Sequence, residues 1–260
     1  MTNFILNKFV MRKILMWFMI VGVVAINSCH KPRNNQGGLT LKINPMFGSH
    51  AFALNQVFEA PDGKYYNFAN YKFYLSHIKL VHSDGSTVEV SPVTYFSADD
   101  SRTWDITLAN TPGSYTGIRF NIGLDSAQDA TTPDAVTTDS LNPYWGNNYT
   151  YWGNAALQYV FVQVDGYGDT VANPTTSSII EYHVGTQANY TVVASLAKNF
   201  STATNTQTVL NVNADLQKVF YNSPDTGVIN ILTTPVTQTT DNPALAHTFI
   251  TYFPKIFSLQ

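Results

Sequence analysis

From Leu39 onward the chain is dominated by alternation of apolar and polar residues. Leu39-Thr40-Leu41-Lys42-Ile43 reads as a first strand, followed by a loop over 45–50. Residues 51–58 read as a second strand, closed by the turn signal Pro61-Asp62-Gly63. The segment YKFYLSHIKLVHSDGSTVEV reads as a hairpin, with strands over 71–81 and 86–90 about the turn Asp84-Gly85. Residues 92–96 and 104–108 are short strand candidates. After Pro112-Gly113, Ile118, Phe120 and Ile122 share one face of a strand over 115–123. Residues 159–165 and 179–185 form two more strands, and 190–197 with 206–213 read as an antiparallel pair. Residues 214–220 suggest a short helix. Asn242-Pro243 is a helix start, a capping side chain before proline at the first helical position, and Pro254 ends or kinks that helix. Strands without alternating long helices predict an all-β class, an antiparallel β-sandwich or sandwich-like barrel with one or two short helices, one of them near the C-terminus.

The N-terminal region has a different pattern. Arg12 and Lys13 precede the apolar run 14–25, and Ile26-Asn27-Ser28-Cys29 follows. An apolar run of about a dozen residues is too short to span a bilayer, so 1–28 reads as a signal peptide, with Met11 as the expected true start. Ser28 and Ile26 before Cys29, the single cysteine, resemble a bacterial lipobox. Cys29 is therefore the expected lipidation site, 29–38 the lipidated cysteine and polar tether, and 39–260 one β domain. The expected location is the bacterial cell envelope, lipid-anchored to the outer membrane on its periplasmic side or at the cell surface. A lipidated cysteine leaves the mature chain with no thiol for a disulfide, so the core must supply its stability.

Removal of 1–28 takes away Lys8, Arg12 and Lys13 and leaves 11 basic against 17 acidic side chains, a net charge of −6. No basic patch is present, and nucleic acid is not an expected partner. Charged residues are only 12% of the chain, which suits strands with polar, uncharged outer faces.

The chain contains no Gly-rich phosphate loop, HExxH, GxSxG or CxxC motif. No acid–base pair or nucleophile constellation is visible, so a non-catalytic protein is expected. The densest concentration of candidate chemistry is 142–185, with Trp145, Tyr149, Tyr151, Trp152 and His183. In IIEYHVG, His183 and Glu181 share one strand face, opposite Ile180, Tyr182 and Val184. That placement suits either a metal ligand or an exposed strand histidine. His50 lies between the first two strands. His77 alternates onto the face of Tyr71, Phe73 and Leu75, as a structural histidine or a ligand. His82 stands beside the hairpin turn and His247 on a surface face of the terminal helix. The acidic loop 124–141, with Asp125, Asp129, Asp134 and Asp139, reads as solvated or as a calcium loop, although its spacing does not match an EF-hand. The aromatic cluster suits core packing, a stacking platform or the wall of a metal site.

The order of motifs carries a resemblance: YLSHIKL, then GSYTGIRFNIGLD, then NPYWGNNYTYW, YVFVQVDG, YHVG and DNPALA. It resembles the MbnP-like family of periplasmic copper-binding proteins, named for a protein of methanobactin operons and common among Bacteroidetes lipoproteins. The resemblance covers roughly 39–253. It implies a β-rich periplasmic domain that binds copper through histidines beside a tryptophan open to oxidation. His183 matches the histidine of the family's FHxG motif, Trp152 the first tryptophan of its MYWxW motif, and His50 falls near the histidine after the first strand. Asn154 stands where the family often has a second tryptophan. The resemblance implies copper as cofactor, His50 and His183 as ligands with His77 as third candidate, and Trp152 lining the site. It also implies a di-haem peroxidase or a TonB-dependent receptor as partner. The rival expectation is a surface glycan- or protein-binding module that uses its Tyr/Trp loops and no metal.

Overall fold

The computed structural model describes residues 38–109, 111–131, 152, 158–174, 179–221 and 229–260. The signal segment, Cys29, the tether, Trp145, Tyr149, Tyr151, Asp134 and Asp139 lie outside them.

Two sheets pack face to face. The five-stranded sheet contains β1 (Leu39–Phe47), β2 (His50–Ala51), β6 (Asp105–Leu108), β11 (Thr208–Asp215) and β13 (Phe257–Leu259). The eight-stranded sheet contains β3 (Val57–Glu59), β4 (Tyr65–Val81), β5 (Thr87–Ser97), β7 (Gly113–Ile122), β8 (Val160–Asp169), β9 (Ile179–Gly185), β10 (Thr191–Thr202) and β12 (Val236–Thr237). The short helices are α1 (Ser126–Asp129), α2 (Gln217–Phe220) and α3 (Pro243–Tyr252), with single 3-10 turns between elements. The sandwich-like class read from the alternation is the one observed.

Alternation works as expected on β1, where Leu39, Leu41, Ile43 and Phe47 are fully buried. It continues through Pro45, so the strand is longer than its first five residues suggest. The other sheet presents Tyr71, Phe73, Leu75, Val162, Val164, Ile180, Tyr182 and Val184 to the same core. Aromatic rings fill the gap: Phe73 stacks on Phe96 at 4.5 Å, and Tyr182 on Phe249 of α3 at 4.8 Å. Asn242 caps α3 by accepting from the Leu245 N–H at 3.1 Å.

Four expectations change. The proposed strand over 51–58 is two short pieces, β2 and β3, in different sheets. The hairpin's first strand runs 17 residues and is the spine of its sheet, pairing with β3, β5, β7 and β8. β10 and β11 do not pair with each other: β10 joins β7, while β11 lies parallel to β1. The pairing is mixed, because β9 and β12 are also parallel. Sequence proximity favours antiparallel hairpins, as β4–β5 and β8–β9 show, but the short connection over 203–207 carries the chain from one sheet to the other instead of turning it back on β10.

Candidate metal centre

Residues that alternate with the core face the outside of the eight-stranded sheet. On β8 these are Gln163 and Asp165, and on β9 Glu181 and His183. Antiparallel pairing places Gln163 opposite His183 and Asp165 opposite Glu181. On the other side of β8, Lys72 of β4 stands opposite Gln163, and Asn70 opposite Asp165. Two rungs of polar side chains therefore cross three strands. All of them but Lys72 line an open cleft of about 340 Å³, together with Gly166, Tyr167 and Ile179.

The hydrogen bonds order this cluster. His183 Nε2 lies 2.7 Å from Asp165 Oδ1, and His183 Nδ1 lies 3.6 Å from Glu181 Oε1. Asp165 Oδ2 accepts from Gln163 Nε2 at 2.7 Å and from Asn70 Nδ2 at 3.0 Å. Gln238 Nε2 donates to Glu181 Oε1. The His183 carbonyl accepts from Thr239 Oγ1 at 2.8 Å, and that hydroxyl accepts from Gly185 N–H at 2.9 Å, which pins the end of β9. Donor atoms of Asp165, Glu181 and His183 all lie within 4.8 Å of one another, and this is the set of that kind found among the described residues. One imidazole and two carboxylates at that spacing can hold a metal ion.

His183 is only 9% exposed, so it is not an exposed strand histidine. Trp152 packs at the end of the same strand: a Cβ on Gly185, two residues after His183, would fall 2.7 Å from Trp152 Cζ3. The indole thus lies against the glycine that ends β9, and the Trp152 main-chain N–H donates to the Gln158 carbonyl at 2.9 Å. Lys72, 6% exposed, stands beside Gln163 in the same rung; burial lowers its pKa, against the pull of Asp99 and Asp165.

The other histidines lie elsewhere. His50 is exposed on β2, in the other sheet, opposite Phe47. His77 sits at a register shift in β4 with φ 49° and is clasped on both ring nitrogens, by Glu89 Oε2 at 3.1 Å and Asp125 Oδ2 at 2.8 Å. The register shift turns it away from the core face shared by Tyr71, Phe73 and Leu75. Burial pulls the His77 pKa down, but the bonds to Asp125 and Glu89 outweigh it and raise it. The His82 ring packs 4.7 Å from Tyr115, and His247 is exposed on α3. The start of the acidic loop is not a solvated stretch. Asp125 caps α1, and Asp129 is 2% exposed, accepting from Tyr159 N–H at 3.1 Å and Gln187 Nε2 at 3.0 Å; burial raises its pKa.

Asp165, Gln163 and Asn70 were not singled out by the sequence. The signal for two of them was present: in YVFVQVDG, two polar residues two apart interrupt an otherwise apolar strand, as Glu181 and His183 do in IIEYHVG.

The MbnP family model matches residues 36–239. The chain belongs to the MbnP family. Among solved structures, MbnP from Methylosinus trichosporium matches over 74% of this chain and 79% of that one, at 11% identity and a TM-score of 0.46. No curated protein matches. Within this MbnP domain, the Asp165, Glu181 and His183 cluster is contributed by the β8–β9 pair alone.

Proposed function

We propose that this MbnP-family chain is an exported, lipid-anchored protein that binds copper without catalysing a reaction, and that His183, Asp165 and Glu181 hold the ion. The observation that carries the reading is the convergence of those three donors on a cleft. Their chemistry fits copper, because copper(II) heads the affinity order of divalent first-row ions at nitrogen and oxygen donors. The surrounding Asn70, Gln163 and Gln238 orient the carboxylates, as partners behind metal ligands do. The basic–apolar–Cys29 order supports the envelope anchor, and a role in copper handling or uptake beside a di-haem peroxidase or a TonB-dependent receptor completes the proposal.

Copper titration of the mature chain tests it. One ion per chain at submicromolar affinity is expected, and loss of binding in His183→Ala. Absent binding, or binding that survives that substitution unchanged, refutes the assignment. Fatty-acid labelling that persists in Cys29→Ala would refute the anchor.

A further inference from the structure

We infer that the chain carries a second binding site, for a neutral hydroxyl-rich carbohydrate, on the outer face of the five-stranded sheet. This site is independent of the copper reading. It lies on the opposite side of the sandwich from the Asp165, Glu181 and His183 cluster.

The pairing of β1 builds the site. Parallel register with β11 sets Asn44 opposite Asn213 and Lys42 opposite Asn211. β13 runs along the far side of β11, where the Gln260 main-chain N–H donates to the Asn211 carbonyl at 3.0 Å. On its other edge β1 pairs with β6 up to Lys42 and with β2 from Met46. Both partners leave β1 beside Asn44. The bonds that flank it run from the Ile43 N–H to the Trp104 carbonyl at 2.8 Å and from the Phe52 N–H to the Pro45 carbonyl at 3.0 Å. An open cleft of about 410 Å³ lies there, lined by the amides of Asn44, Asn211, Asn213 and Gln260 and by Trp104. Asparagine is depleted in strands. Three of them on the two central strands add nothing to the core, which is the pattern of residues kept for a site.

The lining selects the ligand. Among the described residues no charged side chain lines the cleft. The charges on neighbouring rungs are occupied: Lys42 faces Asp105 at 3.8 Å, and Asp215 accepts from the Gly48 N–H at 2.7 Å. An ionic ligand therefore finds no counter-charge here. A primary amide offers two donors and an acceptor, and a sugar hydroxyl is both donor and acceptor, so the two match. Gln260 Nε2 donates to Asn213 Oδ1 at 2.8 Å, which orients both of those amides. The side-chain amides of Asn44 and Asn211 make no hydrogen bond among the described residues and face the cleft. Trp104 supplies the apolar wall on which the C–H face of a sugar ring packs. Its indole N–H donates to the Ser97 carbonyl at 3.0 Å, and Phe96 stacks on it at 6.4 Å. The ring is thus fixed before a ligand arrives, which lowers the entropy cost of binding.

The test titrates the mature chain with maltohexaose, cellohexaose, mannohexaose and xylohexaose, and with sulfated maltohexaose as the charged comparison. Tryptophan fluorescence and the NMR shifts of side-chain amides are read. At least one neutral hexaose should saturate at millimolar concentration or below and shift the Asn44 and Asn211 amides. Asn211→Ala should weaken that binding by about fivefold to tenfold, and the fluorescence change should vanish in Trp104→Phe. Asn44 and Asn211 point away from the core, so their alanine variants should keep the wild-type thermal midpoint and copper affinity. Saturation by none of the four, tighter binding of the sulfated hexaose, or binding that survives the Asn44→Ala, Asn211→Ala double variant unchanged overturns the site. Each of those results leaves the copper reading standing, because no copper ligand is touched.

Discussion

Substitution of Gly166 by alanine should damage fold and site together. Gly166 is on β8 opposite Phe68 of β4, next to a register shift between Phe68 and Asn70. A Cβ at this position would stand 2.2 Å from the Asn67 carbonyl oxygen and 2.8 Å from Phe68 Cα. Both obstacles are main chain of the sheet's central strand, so no rotamer change relieves them and β4 and β8 must move apart. Overpacking costs about 1–3 kcal/mol, and main-chain obstruction places this case near the top, at about 3 kcal/mol. With a urea slope of about 3 kcal/mol per molar for a domain of this size, the midpoint should fall by about 1 M. The assay is urea unfolding followed by tryptophan fluorescence. Gly63→Ala is the control: it meets nothing within 4 Å and stands at φ +75°, so only the left-handed backbone penalty of about 1 kcal/mol remains. Because the displaced strands carry Asn70 and Asp165 on the next rung, copper affinity should fall as well. A midpoint within about 0.2 M of wild type, or equal to that of the control, would refute the close-approach argument.

The His77 clasp predicts a pH dependence. Its folded pKa lies above the unfolded value, so the clasp contributes fully below about pH 6.5 and is lost as pH rises through the folded pKa. Solvent screening keeps the contribution below about 1 kcal/mol. His77→Gln should therefore cost more stability at pH 5.5 than at pH 8.5 in chemical denaturation, and equal losses at both would remove the clasp. Asn242→Ala deletes the cap on the Leu245 N–H and should lower stability by about 1 kcal/mol; a thermal midpoint unchanged within error counts against the cap.

The fold class and part of the site follow from sequence because strand alternation is a local property. Side chains two apart share a face wherever the strand goes. That is why Glu181 and His183 could be placed together, why Ile180, Tyr182 and Val184 could be assigned to the core, and why Asn242-Pro243 marked the start of α3. Pairing is not local. Whether β10 meets β7 or β11 depends on which apolar faces close a common core, and no short-range signal encodes that. The same limit applied to the candidate ligands. His50, His77 and His183 are equivalent as residue types, but the sandwich puts His50 in the other sheet and a register shift turns His77 toward Glu89 and Asp125. Asp165 became His183's partner only when β8 and β9 paired in one register, and Asn70 and Gln163 became its supports only when β4 paired on the other side. The sequence thus determined which residues face outward, and the tertiary register determined which of them meet.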